Sequence, residues 1–312
     1  MAGDPATDTS PPREETENHT GQRFSLGIAG LTVRAEARSP ALRFRVDGPS
    51  RDFLVEDGDA ELVLDVSLRP LEETIEGELL FDSAGPWTLH DSGGRRVYRV
   101  FDRSVAAHPY TEVRLDPGGT TGELFVDPRL LEPGAATDPL TFPLDELLFL
   151  ELLARHGGVE LHACGVVDPS GRGLLFTGHS GHGKTTMASL WKTVPGSIVL
   201  SDDRIVVRRT SDGRWRMYGT PWHGEARLAA SADAEVAGIY VLGRGTENAF
   251  GRMSRADAVT ALLARSFPQF HSQSGLDSAL SVLDGLAAQV PCRSFAFVPG
   301  PGAVRFVLEN AG

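Results

Sequence analysis

Nine residues constrain this chain more than any others: Gly178-His179-Ser180-Gly181-His182-Gly183-Lys184-Thr185-Thr186. They follow the apolar run Gly173-Leu174-Leu175-Phe176-Thr177, which reads as a buried strand. They precede Met187-Ala188-Ser189-Leu190-Trp191, which reads as a helix. The spacing is G-x-x-x-x-G-K-[ST], and strand, glycine turn and helix are the context that gives this spacing chemical meaning. Glycines at 178, 181 and 183 open backbone angles closed to other residues, so successive N–H groups can face one anion. The start of the helix adds partial positive charge. Lys184 then offers a point charge to the β- and γ-phosphates, and the Thr185 hydroxyl has the length to hold Mg2+. The expected nucleotide contacts are therefore Gly178, Ser180, Gly181, His182, Gly183, Lys184, Thr185 and Thr186.

A second signal lies downstream. The apolar run Ser197-Ile198-Val199-Leu200-Ser201 reads as a strand and ends in Asp202-Asp203, followed by Ile205-Val206-Val207. An acidic residue at the end of an apolar strand, after a phosphate loop, can hold a metal directly or through water. Thr185, Asp202 and Asp203 are thus the candidate Mg2+ ligands, and the two aspartates are also candidate bases. Further on, Gly219-Thr220-Pro221-Trp222-His223-Gly224-Glu225 mixes bulky, polar and flexible residues in one loop, a composition suited to function on a rigid scaffold. From it and its flank, His223, Glu225 and Arg227 could face an acceptor.

The rest of the chain sorts around this centre. Its 312 residues, 41% hydrophobic, suffice for a sizeable core and suggest two domains. Residues 1–22 carry Pro, Thr, Asp and Glu with almost no large apolar side chain, and read as a disordered tail. Residues 23–139 break into short alternating runs, at 31–35, 42–46, 61–66, 77–81, 96–101, 111–115 and 122–126, separated by turns such as Asp57-Gly58 and Ser92-Gly93-Gly94. This predicts a smaller antiparallel β-rich domain with one wet face and no catalytic cluster. Its His90 and His108 read as ordinary surface or rim residues. A connector with Pro133 and Gly134 leads to residues 140–312, the nucleotide-binding half. Pro143 to His156 reads as a helix, apolar around most of its circumference and buried between the halves. Strands are expected at 159–167, 215–219 and 235–242, helices at 256–267 and 276–289, and a closing hairpin from 292–298 and 304–308 around Pro299-Gly300-Pro301-Gly302.

The formal net charge of -12 argues against nucleic acid or anionic membranes as general partners. Cys164 and Cys292 have no metal-ligand spacing and read as reduced, buried thiols. With no apolar run of membrane-spanning length and no signal-peptide core, a soluble cytoplasmic protein is expected.

His162 followed by Gly165-Val166-Val167, the loop from Gly173 to Thr185, and Leu200-Ser201-Asp202-Asp203-Arg204-Ile205 together resemble the catalytic domain of HPr kinase/phosphorylase. The likeness is strongest over 159–207. ATP-dependent phosphoenolpyruvate carboxykinase has a similar loop. The resemblance implies an α/β (α+β) fold with a carboxykinase-type P-loop core on a mixed sheet. It implies that Lys184 binds the transferring phosphates, that Thr185 holds Mg2+, that Asp202 or Asp203 serves as base or metal partner, and that His162 sits beside the γ-phosphate. It also makes a homo-oligomer possible. The later Glu-Val-Arg-Gly segment of HPr kinases is not found. The segment Thr220-Pro221-Trp222-His223-Gly224-Glu225 instead resembles a Thr-Pro-x-x-Gly-Glu loop of kinase-like relatives that are often found near peptide-modification genes. HPr itself is therefore not implied as the acceptor.

The expected function is an ATP-dependent kinase, with ATP and Mg2+ as cofactors, that transfers the γ-phosphate to a Ser or Thr hydroxyl of a protein or peptide. A non-catalytic ATP-binding regulator is the alternative. A carboxykinase acting on a small keto acid is a weaker one, since no cationic cluster for a dicarboxylate is evident.

Overall fold

The structure is a computed structural model that describes residues 20–132 and 134–311. Of the expected tail, residues 1–19 lie outside the described residues. Thr20–Gly21 forms a short strand against Phe44–Arg45, so ordered structure begins earlier than expected. The chain is mixed α/β, built on two large mixed sheets.

The first sheet has nine strands and holds three the sequence pattern did not mark, Arg23–Ile28, Leu54–Val55 and Trp87–Ser92. The expectation of an antiparallel sheet needs correction. Leu62–Leu68 lies parallel to Leu31–Ala37 on one side and to Thr121–Val126 on the other. Period-two alternation reports which face is buried, not strand direction. Both connections to Leu62–Leu68 are long enough to return the chain to the same end of the sheet. The buried face, with Leu26, Val33, Leu64, Val113 and Leu124, shares one core with the helix Leu144–Arg155. That helix is buried along Leu144, Leu148, Phe149 and Leu152, as its pattern requires. Each such side chain, fully removed from water, stabilises the fold by about 1.5–3 kcal/mol. Polar groups anchor it as well: Tyr98 Oη donates to Glu151 Oε1 at 2.5 Å, and Arg96 pairs with the same carboxylate at 2.7 Å.

In the second sheet, Gly173–Thr177, Gly158–Val167, Arg204–Arg209, Trp215–Tyr218 and Asp233–Arg244 pair in that order, and the last returns to the first, closing a small barrel. Gly158–Val167 serves two partners along one edge. Residues 158–162 pair with Arg204–Arg209, while residues 165–167 pair with Ile198–Ser201. The register shifts beside Gly165, where a Cβ would lie 2.4 Å from Ile205 Cδ1, so any larger residue would have to displace the Ile205 side chain. Cys292–Phe297 and then Ala249–Arg252, a strand missing from the expected set, extend the sheet beyond Asp233–Arg244.

The strand before the glycine loop is buried on both faces. Leu175 enters a core with Leu161, Ile205, Met217 and Leu283, while Leu174 and Phe176 enter another with Met187, Trp191 and Val307. Its unbroken apolar run follows from this. The closing hairpin is a second correction. Residues 304–308 belong to a helix, Pro301–Asn310, with Pro301 in its first turn and Ala303, Val304 and Val307 buried at helical spacing against that core. A mixed apolar run of five residues fits either period, and here the proline decides. The expected helices at 256–267 and 276–289 are Arg255–Leu263 and Gln273–Gln289. No helix among the described residues is long and apolar enough to cross a membrane.

Candidate phosphate site

Gly173–Thr177 runs parallel to Asp233–Arg244, which runs parallel to Cys292–Phe297, so the carboxyl ends of the three strands gather at one edge. The glycine loop rises from that edge and feeds the helix Lys184–Lys192. Ligands of α/β sheets collect at such an edge. Gly183 is the N-cap, at φ 98°, and no side chain caps the helix, so its first amides are not taken by a cap. A Cβ on Gly183 would also sit 2.5 Å from the Phe297 ring. Gly181 too has positive φ, 76°. Inside the loop, His182 N–H donates to His179 O at 3.1 Å, and His182 Nδ1 lies 3.1 Å from Leu242 O. Lys184 is buried, and its Nζ donates to Gly178 O at 3.0 Å. Burial, then the charges of Arg265 and Arg204, lower its pKa, against the pull of Asp203. Ser180 and Thr186 are exposed, and Thr185 is partly so.

The two adjacent aspartates point to different tasks. Asp202 is 1% exposed. Its Oδ1 accepts from the amides of Gly224 and Leu228, and its Oδ2 from that of Ala226, at 2.9–3.2 Å. It organises the loop after Trp222. Asp203 is more open: Oδ1 lies 2.9 Å from His162 Nε2, and Oδ2 accepts from Arg204 Nη1 at 2.7 Å. Burial pushes the Asp203 carboxyl up, but the His162 hydrogen bond and the charges of Arg204, His162 and Lys184 outweigh it, leaving the pKa below the usual value. The structure thus brings together the glycine loop, Lys184, Asp203 and His162.

Behind Asp203, Arg204 Nε reaches Glu146 Oε1 at 2.9 Å and Glu160 Oε1 at 3.2 Å, and its guanidinium lies 4.1 Å from the centre of the Phe267 ring. Glu160 is completely buried, and burial together with the facing Glu146 carboxylate raises its pKa well above the ordinary range. Arg204 keeps Glu146 and Asp203 as its ion-pair partners, with the Glu160 carboxyl packed beside them.

Sequence reasoning missed one cation. Arg265 follows the helix Arg255–Leu263, and its carbonyl accepts from His162 N–H at 2.7 Å, so it is held beside the site by the backbone. Its charge is the largest cause of the lowered pKa of His179 and also acts on Lys184. Its Nη1 donates to Ala261 O, while its buried Nε has no partner. Among the described residues neither Lys184 nor Arg265 forms an ion pair. No motif surrounds Arg265 in Leu263-Ala264-Arg265-Ser266; only the bridge from Ser266 to Leu161 reveals its place.

Of the expected acceptor-facing residues, Glu225 and Arg227 are exposed on the loop that Asp202 holds, and His223 Nδ1 lies 3.0 Å from Gly224 O. The loop reaches the site: a Cβ on Gly224 would lie 3.1 Å from Asp203 Cβ. Cys164 is buried, but Cys292, expected to be buried too, is only partly so; both are free thiols. No group of three or more His, Cys, Asp or Glu side chains is placed to hold a metal among the described residues. Mg2+ bound with phosphates needs only one or two protein ligands. A cleft of about 810 Å³ among Phe101, Tyr110, Asp138 and Phe142 shares no residue with the glycine loop. Comparison with protein-family models and with curated proteins finds no match for this chain.

Proposed function

We propose that this chain is a P-loop phosphotransferase that takes the γ-phosphate from Mg-ATP to a hydroxyl of a protein or peptide, on a carboxykinase-type core like that of HPr kinases. The observation that carries the reading is an unneutralised pair of cations, Lys184 and Arg265, at an uncapped helix start beside the ionised Asp203. Lys184 is buried and Arg265 partly so; desolvated cations without counter-ions are costly, and a polyanionic ligand is what relieves them. The mixed core fits the same reading, since the P-loop strand has one antiparallel and one parallel neighbour.

The fit to Mg-ATP is good: the loop has glycines at its left-handed positions, and the Lys184 ammonium rests on a carbonyl it can leave. Bound there, Mg-ATP supplies the phosphoryl group and the charge neutralisation of a divalent ion. Lys184 and the loop amides would hold its phosphates, Thr185 would hold the metal, and Arg265 would add charge where the phosphoryl oxygens lie. Asp203, kept ionised and oriented by His162 and Arg204, would accept the hydrogen bond of the acceptor hydroxyl and then its proton. Asp202 would shape the acceptor side indirectly, through residues 224–228.

The test is calorimetric titration with Mg-ATP, paired with transfer of labelled γ-phosphate to a library of Ser- and Thr-containing peptides. The wild-type chain is expected to bind and transfer, Lys184→Ala to lose binding, and Asp203→Asn to bind but not transfer. Absence of Mg-ATP binding in the folded wild-type chain, or transfer indifferent to Asp203→Asn, would overturn the reading.

A further inference from the structure

The first sheet ends in the strand Glu78–Asp82, which pairs with Trp87–Ser92 on one side and with no strand on the other among the described residues. Alternate amides and carbonyls along its outer side therefore lack a ladder partner. The opposite edge of the same sheet, Leu54–Val55, is only two residues long. Glu78–Asp82 has five residues and holds no Lys, Arg or Pro, the residues that usually blunt an edge. It also leaves apolar surface in water. Leu79 is 53% and Leu80 37% exposed, and the bulge between Leu79 and Phe81 leaves Leu80 without a partner across the ladder. The apolar surface continues inward: Phe81 stacks on Trp87 at 4.9 Å between centroids, and both line a cavity of about 210 Å³ that Phe267 also lines. Phe267 in turn packs on His162, at 6.3 Å between centroids, so this edge is joined to the phosphate site by a chain of ring contacts.

The edge is also acidic. Leu71-Glu72-Glu73-Thr74-Ile75-Glu76-Gly77 leads into it, and Glu72, Glu73, Glu76, Glu78 and Asp82 are exposed. None of these carboxylates forms an ion pair among the described residues. We propose that the outer side of Glu78–Asp82 is a docking site for an extended basic peptide segment, which adds to the sheet as a further strand. Its backbone would pair with the unpartnered amides and carbonyls, its apolar side chains would cover Leu79 and Leu80, and its Lys or Arg residues would meet Glu76, Glu78 and Asp82. Charge selects this occupant over two others. A second copy pairing antiparallel about Leu80 would set Glu78 against the Asp82 of the copy, and like charges directly opposite destabilise a ladder. The chain's own residues 1–19 carry Asp4, Asp8, Glu14, Glu15 and Glu17 against Arg13 alone. The inference goes beyond the kinase reading and does not depend on it.

The full chain is titrated, by fluorescence anisotropy, with a short labelled peptide alternating Lys and Val. The same peptide with Glu for Lys, and the Lys–Val peptide N-methylated at successive central residues, are titrated beside it. Saturable binding of the Lys–Val peptide is expected. N-methylation should weaken it by about 10-fold or more, because the backbone bonds to the edge are lost. Exchange of Lys for Glu should weaken it by about 10-fold as well. The double variant Glu76→Lys, Glu78→Lys changes two exposed side chains and should invert the preference, taking the Glu–Val peptide over the Lys–Val peptide. An unfolded variant cannot mimic that gain. No saturable binding of the Lys–Val peptide by the folded wild-type chain overturns the proposal. An N-methylated peptide that binds as tightly as its parent overturns it too, since charge alone would then hold the peptide. So does a preference unchanged in the double variant, which would put the peptide elsewhere on the surface. A chain that sediments as a dimer broken by Leu80→Pro would place a second copy at this edge, and likewise overturns the basic-peptide occupant. Each result leaves Mg-ATP binding free to succeed or fail on its own.

Discussion

The two sheets treat buried charge in opposite ways. In the first, Arg99 and Glu112 are each 3% exposed and pair at 3.2 Å, while Arg69 and Arg114 also reach that carboxylate. Asp127 is likewise tied to Arg129 and to the Leu71 amide, which, against the cost of burial, bring its pKa to about 2. Each of these groups has an oppositely charged partner beside it. At the strand ends of the second sheet, Lys184 and Arg265 have carbonyls for company and no carboxylate in ion-pair range among the described residues. Internal pairing is what a structural charge needs. Cations kept half-dry and unpaired are what supports the anion site proposed above.

This contrast can be broken by experiment, beginning with the largest effect. Asp203→Asn should slow phosphate transfer by about 10²–10⁴-fold with little change in Mg-ATP affinity, as expected for loss of a positioned base. Its neighbour should behave differently: Asp202→Asn gives up charge-assisted acceptance from three backbone amides and should cost about 2–4 kcal/mol in a urea unfolding curve. Equal losses of transfer and stability in both variants would erase the distinction between them.

Next, Arg99→Ala should lower stability by about 1.5–3 kcal/mol, because Glu112 loses its one fully buried partner while keeping Arg69 and Arg114, and should leave Mg-ATP affinity unchanged in the folded fraction. Lys184→Met should do the reverse. It removes a desolvated cation with no ion-pair partner, so calorimetric Mg-ATP affinity should fall by about 100-fold while the thermal midpoint holds or rises. A thermal midpoint that falls in Lys184→Met would mean that this lysine is structural after all.

The smallest expected effect is a pH dependence. Burial raises the Asp145 pKa to about 7, although Trp222 Nε1 and the Glu146 amide donate to it; the nearby Glu146 and Asp138 carboxylates add to the rise. Between about pH 4 and pH 7 the folded state therefore holds a proton that the unfolded chain has lost, so stability must fall as pH rises through that window. Glu160 acts in the same direction. Asp145→Asn keeps an acceptor for Trp222 and removes the titration. The loss of stability between pH 5 and pH 8 should shrink by about 1–3 kcal/mol, as measured by urea unfolding at both pH values.

Reading the sequence located the phosphate loop, its strand and its helix, because all three are local: glycine spacing, an apolar run and a helical run within twenty residues. It placed the helix Leu144–Arg155 as a buried element for the same reason. It gave Asp202 and Asp203 interchangeable roles, because one strand end presents two carboxylates and only the folded loop 219–228 shows which of them the backbone amides occupy. It misread strand direction in the first sheet and the period of residues 304–308, where short patterns are compatible with two structures.

What the amino-acid order determined by itself was the strand–glycine turn–helix unit that carries Lys184, since an apolar run, glycine freedom and a helix start act within a few residues of one another. What only tertiary structure decided was the company that turn keeps. Arg265, far from Lys184 in the chain, reaches the site through a backbone bond to His162. Phe267 carries the site's edge into an aromatic cavity whose far wall belongs to the other sheet. Local propensities decay over a few residues, whereas long-range neighbours are chosen by which apolar faces bury one another, and that choice exists only in the folded chain.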